Sequence, residues 1–358
     1  MDRRRRVRGV QVVSLGFVVV MVAAMSIPPG GATNRAVSQE VAGSESISPS
    51  EAQEALSYWT QERMSNAAPM EMRSSGGPAA RAVPAPVETG SNAGDRPLSG
   101  GGGAETIATA EDFWQASSSV MPARAVGRLF FRSWDSLGQR FFDSSCSATV
   151  IEADNRSTVW TAGHCVFSTH ENIWHQSFLF CPGYRDRGGR PQQSRDCPLG
   201  KWVPEWVATT PQWIDARCTP DGSCSVAEFG GDFGALTMYP RRGQLIENRA
   251  SSHVLRYNIT VGDHTLFGYP AVPSSFYPFD GRFLYWCTAT NSFVENTLKM
   301  PCHATAGASG GPWLGPWNRL GRAYLDTVNS HGGGETGYLS GPYQGQWAYD
   351  LYELMRRN

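Results

Sequence analysis

The chain has 358 residues, 41% of them apolar, and a formal net charge of −1 at neutral pH. That balance describes a globular protein with one large or two medium domains, and it excludes the strongly basic surface that nucleic-acid binding demands.

Arg3 to Arg6 and Arg8 form a positive block directly before the apolar run Val10 to Met25. Small and turn-forming residues follow, which is the layout of a secretory signal peptide over residues 1–32. The run is about 16 residues, shorter than the roughly 20 that span a bilayer, so a cleaved leader is preferred to a retained anchor. A secreted, extracellular protein with no membrane association in its mature form is expected. Residues 33–122 are rich in Ser, Gly, Pro and Ala, including the run Gly100 to Gly103. Such a stretch buries too little apolar surface to offset its ordering entropy, and it reads as a largely disordered pro-segment. Within it, Ala52, Ala55, Leu56 and Trp59 follow helical spacing, with Ser50 and Gln53 as a possible capping box over Ser50 to Asn66.

From about Val126 short β-type runs separated by turn residues take over: Gly127 to Phe131, Ala148 to Ile151, Ser157 to Thr161, Leu255 to Val261, Thr265 to Tyr269, Arg282 to Cys287 and Ala323 to Val328. The pattern predicts an all-β sandwich or barrel. Only Gln346 to Arg357 reads as a helix, with Trp347, Leu351 and Leu354 near one face. Eight cysteines, Cys146, Cys165, Cys181, Cys197, Cys218, Cys224, Cys287 and Cys302, all follow the leader. An even number behind an export signal favours disulfides, and no CxxC pair argues for a metal. About a hundred pairings are open to eight cysteines; sequential neighbours, 146–165, 181–197, 218–224 and 287–302, close short loops.

Three local patterns carry chemistry. A serine hydroxyl needs a histidine to take its proton, and the histidine needs a carboxylate to fix its tautomer. Thr161-Ala162-Gly163-His164-Cys165 delivers a histidine at the end of a β run. Gly230-Gly231-Asp232-Phe233-Gly234-Ala235-Leu236 sets an acid at the mouth of an apolar strand, whereas the rivals Asp215, Asp221, Asp263 and Asp280 head no such strand. Gly307-Ala308-Ser309-Gly310-Gly311-Pro312 surrounds a serine with glycines that let backbone N–H groups approach a carbonyl, Gly307 and Ser309 being the natural oxyanion donors.

Together these boxes resemble those of the chymotrypsin-like serine peptidases, a TA-x-HC box, a D-apolar strand and a G-x-SGGP box in that order, over roughly residues 126–345. The resemblance implies two six-stranded antiparallel β-barrels, here 123–245 and 246–345, followed by a C-terminal helix at 346–358. It implies a catalytic set of His164, Asp232 and Ser309 in the cleft between the barrels, and a pairing of Cys146 with Cys165. Ser330 resembles the family serine that supports the aspartate and whose segment aligns the substrate. Ala308 stands where trypsin-like zymogens carry an aspartate, so activation by an ion pair with a new N-terminus after Arg124 is not available. Alanine there, with Phe180 to Tyr184 and Gly268-Tyr269-Pro270, looks more like the bacterial glutamyl-endopeptidase-like branch. His303 occupies the position six before the serine, so cleavage after Lys or Arg is not expected; His303, Thr305 and His331 are candidates for substrate binding, although Asn329 occupies the place of the family histidine.

These features lead to a secreted serine endopeptidase acting on polypeptides as a monomer, without a cofactor, a metal ion or a nucleic-acid partner. A catalytically silent binding homologue is the alternative. An esterase or lipase is disfavoured, because those set the serine in a G-x-S-x-G elbow with the order Ser, Asp, His.

Overall fold

A hairpin of unusual length builds the first half of the protein. Strand Val126–Asp135 pairs antiparallel with Arg140–Val150 from Val126 opposite Thr149 to Asp135 opposite Arg140. Asp135 closes the turn itself, its carboxylate accepting from the N–H groups of Leu137 (3.1 Å) and Gly138 (3.0 Å). The computed structural model describes residues 43–75, 114–117, 119–186, 196–332 and 337–358. The leader and the glycine run at 100–103 lie outside these residues.

Six strands of the first barrel run in the order Pro204–Thr209, Gly234–Met238, Thr158–Thr161, Arg140–Val150, Val126–Asp135, Gln176–Pro182. Trp202, just ahead of the first of these, exchanges backbone hydrogen bonds with Phe180 in the last, at 2.8 and 2.9 Å, and so closes the sheet on itself. Leu129, Phe130, Phe131, Trp160, Leu179, Phe180 and Leu236 are fully buried within and around it. Trp160, Trp202, Trp213 and Trp313 are likewise packed in the interior, so these tryptophans are core residues.

The second barrel has six longer strands, Asp263–Gly268, Tyr285–Thr290, Thr297–Pro301, Pro312–Trp317, Ala323–Val328 and Tyr338–Pro342, distributed over two curled sheets. Cys287 and Cys302 join these sheets covalently, and the Thr327 hydroxyl donates to the Pro342 carbonyl across them at 2.6 Å. Only Val254–Leu255 of the expected run to Val261 is a strand. Asn258, with a positive φ of 64°, turns the chain out of the sheet. Inside this barrel Asp326 is fully buried and bridges Arg256 and His264, the latter at 2.9 Å.

The structure contains disulfides 146–165, 181–197, 218–224 and 287–302. The terminal helix, Gln346–Met355, follows the second barrel in sequence but packs on the first. Asn155 there donates to the Met355 carbonyl at 2.7 Å, and Trp347, Leu351 and Met355 face inward. None of the helices among the described residues is long and apolar enough to cross a membrane.

Residues 43–75 form an arm that belongs to the same compact unit as both barrels. Gly43–Ser46 adds an antiparallel strand to the outer edge of Pro204–Thr209. The helical spacing resolves into two helices, Pro49–Tyr58 and Gln61–Asn66. The capping box of the first is Ser48 with Glu51, two residues earlier than Ser50 with Gln53, because Pro49 sets the first helical turn and Ser48 precedes it. Trp59, between the helices, is fully buried against Phe130, and its indole N–H donates to the Ser177 carbonyl at 2.5 Å.

Truncating the completely buried Leu351 to alanine leaves a cavity between the terminal helix and the first barrel. It is expected to lower stability by about 2–5 kcal/mol, read as a lower denaturant midpoint. An unchanged midpoint would show that the helix does not pack there.

Candidate active site

The ladder between Thr158–Thr161 and Gly234–Met238 has Thr161 opposite Gly234. Asp232 precedes one end of this pairing by two residues and His164 follows it by three, so strand register alone brings acid and imidazole together. His164 sits on the short 3₁₀ turn Gly163–Cys165, tied down by the disulfide from Cys165 to Cys146. Gly163 permits the close passage of Trp213, since a Cβ there would lie 2.7 Å from the indole.

Asp232 is fully buried and receives three hydrogen bonds. The His164 backbone N–H donates to Oδ1 at 2.8 Å, His164 Nδ1 lies 2.9 Å from Oδ2, and the Ser330 hydroxyl donates to Oδ2 at 2.6 Å. Burial by itself would push this carboxyl up; the attraction of His164 and the three hydrogen bonds outweigh it and hold the pKa below the ordinary value. Asp215, Asp221, Asp263 and Asp280 are exposed, and His164 is bonded to none of them. An ionised Oδ2 can only accept, so Nδ1 carries the proton and Nε2 is left as the basic nitrogen. Nε2 is buried without a hydrogen-bond partner among the described residues.

Ser309 comes from the other barrel, on the turn ahead of Pro312–Trp317. Gly307 and Gly310 have φ of 96° and 77°, which side chains rarely adopt, and a Cβ on Gly310 would strike Thr161 Oγ1 at 2.0 Å. The glycines therefore serve two ends: they form the turn and let it press against the first barrel. Ser147, which the sequence reading passed over, pins this contact. Its N–H donates to the Ser309 carbonyl at 2.7 Å, its hydroxyl donates to the Gly307 carbonyl at 2.8 Å, and its oxygen accepts the Tyr269 N–H at 2.9 Å. The only sequence signal for it was its place directly after Cys146.

Four other expected residues have different surroundings. Ser330 bonds Asp232, as above. The His331 ring stacks on Phe229 at 3.8 Å between centroids, and its Nδ1 is 3.2 Å from the Ser330 hydroxyl. His303 instead lies against Phe276, 4.2 Å between centroids, and close to Gly337. The Thr305 hydroxyl is engaged by the main chain of Val272, donating to its carbonyl at 2.8 Å. The two histidines thus have different neighbours. His175 is a further residue that the sequence did not single out; its Nε2 donates to the His164 carbonyl at 3.0 Å and its ring stacks on Phe131. Cys146, His164 and Cys165 converge, but both sulfurs are consumed by their disulfide, so they are no ligand set for a metal.

No protein-family model matches the chain, and no curated protein does. Solved structures do. The protease Anisep from Arthrobacter nicotinovorans is 26% identical with a TM-score of 0.54, covering 69% of this chain and 100% of its own. A thermostable serine protease, AL20, from an extremophilic microorganism is 24% identical with a TM-score of 0.53, covering 66% of this chain and 99% of its own. A Glu endopeptidase is 16% identical with a TM-score of 0.50, covering 70% of this chain and 99% of its own, a likeness of fold.

Two outcomes follow from the site's construction. Burial holds His175, His253 and His331 each at a pKa of about 4, against roughly 6.5 in the unfolded chain. Between those values the unfolded state binds more protons, so stability falls as pH is lowered from ~6.5 to ~4. Denaturant midpoints across that range should show this, with a shallower fall in His253→Gln, and a flat profile would contradict it. Ser147→Ala leaves a buried carbonyl and a buried N–H unpaired and should cost about 1–3 kcal/mol, measured by equilibrium unfolding. In its two barrels and its solved neighbours, the chain has the fold of the chymotrypsin-like serine peptidases, a fold it shares with a Glu endopeptidase.

Proposed function

We propose that the protein is a secreted serine endopeptidase whose nucleophile is Ser309, with His164 as general base and acid and Asp232 as its orienting carboxylate. One observation supports this most directly: the Gly307 N–H (3.2 Å) and the Ser309 hydroxyl (3.4 Å) both reach a single peptide carbonyl oxygen, that of Met70. One proposed oxyanion donor, the Gly307 N–H, and the proposed nucleophilic hydroxyl already converge on one peptide carbonyl.

In the proposed reaction Ser309 Oγ bonds to the scissile carbonyl carbon as its proton passes to His164 Nε2. The N–H groups of Gly307 and Ser309 hold the oxyanion, and Asp232 stabilises the imidazolium. His164 then gives its proton to the departing amine as the C–N bond breaks. A water, deprotonated by His164, attacks the acyl ester and returns Ser309 to its resting state. Ser330 holds Asp232 and aligns the substrate chain, with His303, Thr305 and His331 nearby on the acyl side. His303 offers no carboxylate to a basic side chain, which argues against cleavage after Lys or Arg. The four disulfides and the leader favour action outside the cell. The silent-homologue reading is less economical, because neither the base, the acid nor the oxyanion donor is missing.

Peptide-mixture cleavage, read by mass spectrometry after the N-terminal arm has been removed by limited proteolysis, tests the proposal. Ser309→Ala and His164→Ala should each lower kcat/KM by about 10⁴-fold or more, and Asp232→Asn by about 10⁴-fold. Equal cleavage by wild type and Ser309→Ala would refute the assignment.

A further inference from the structure

The carbonyl held by Gly307 and Ser309 belongs to the protein's own arm. Ala68–Pro69 pairs parallel with Ser144–Ser145, the Ser144 hydroxyl donates to the Ala68 carbonyl at 3.2 Å, and the Met70 N–H donates to the Ser145 carbonyl at 2.9 Å. Arg128, buried beneath, donates to the Ala67 carbonyl at 3.2 Å while its other end reaches Gly281 of the second barrel. Beyond Met70 the chain continues across the site, Arg73–Ser74 pairing parallel with Ser223–Cys224. The arm thus crosses the candidate active site from the first barrel's β-hairpin to the loop closed by Cys218 and Cys224, held by main-chain bonds on both sides of Met70.

We infer that residues 67–75 are a built-in inhibitory strap, whose Met70 carbonyl fills the oxyanion position and keeps the full-length chain latent; this rests on the peptidase reading above. The contact is unproductive by its geometry. Attack requires the Ser309 proton to point to His164 and an oxygen lone pair to face the carbonyl carbon. Here the hydroxyl points to the carbonyl oxygen, and His164 Nε2 has no partner among the described residues. Nothing moves the proton to the base, so the Met70–Glu71 bond survives in the site.

The rest of the arm acts as the anchor. Its edge strand, the buried Trp59 and the cluster of Tyr58, Arg63 and Asp143 fix it to the first barrel. All these contacts are non-covalent and lie ahead of Ser75. A cut anywhere after Ser75 leaves them intact, so emptying the site requires cleavage within the arm or its dissociation. This replaces the ion-pair activation that Ala308 forbids with simple removal of a competitor. Tethering keeps that competitor at high effective concentration.

The test uses the full-length chain with two single substitutions. Met70→Pro removes the N–H that bonds Ser145, and Trp59→Ala loosens the anchor. Reaction with a fluorophosphonate should be about 100-fold faster in both than in wild type, the scale on which tethering commonly acts. Hydrogen exchange on Ser309→Ala should show slow amides at 68–74 and 305–309, with faster exchange when Trp59→Ala is added and no change through the paired strands 158–161 and 234–238, which confirms that the barrel is folded. Equal labelling rates in wild type and both variants overturn the strap. If no variant labels at all, the peptidase reading fails and exchange decides the strap's occupancy: protected amides at 68–74 retain it, and unprotected ones overturn it.

Discussion

An ionised carboxylate with no exposure to water is costly wherever it lies, and at Asp232 it is tolerated because donors close on it from both barrels. Two of its three hydrogen bonds come from His164 in the first barrel and one from Ser330 in the second. The interaction therefore reports on assembly as well as on chemistry. It forms only when the 3₁₀ turn at Gly163, the strand at Gly234 and the segment at Ser330 are all in place. The Cys146–Cys165 disulfide reduces the freedom of the turn that carries His164, and Trp213 packs against its ring.

The serine turn obeys a complementary constraint. Its backbone must expose N–H groups to a ligand while its carbonyls are satisfied elsewhere. Ser147 from the first barrel satisfies the carbonyls of Gly307 and Ser309, and Gly310 lets the two barrels approach to the distance this requires. Asp232, His164 and Ser309 are thus positioned by contacts that cross the barrel interface. The arm takes one of these donors, the Gly307 N–H, with its Met70 carbonyl. In the proposed reaction these donors hold the carbonyl of a substrate peptide, so the inferred strap and an external peptide compete for the same place.

Much of this was legible in the sequence, for reasons that differ by residue. His164, Asp232 and Ser309 were visible because each sits in a short motif whose glycines and apolar flanks have a steric purpose. The β runs were visible by composition, and the terminal helix by spacing. Ser147 was hidden because its role depends on a contact with a turn 160 residues away, which leaves no local pattern. The separation of His303 from His331 was also hidden, because stacking on Phe276 and on Phe229 is decided by tertiary packing. The arm is the most instructive case. Its helix was foreshadowed by Ala52, Ala55 and Trp59, yet nothing in Pro69-Met70-Glu71 marks its approach to Ser309, because the bonds at Met70 are made by main-chain atoms.

The most direct test of the central claim is to trap the acyl intermediate. The chain, freed of its arm, is mixed with a slowly turned-over p-nitrophenyl ester, quenched in acid during turnover and digested for mass spectrometry. The account predicts one acyl group per chain, carried by Ser309 and absent when His164 is replaced by alanine. An adduct on another residue, or hydrolysis with no adduct at Ser309, would contradict it.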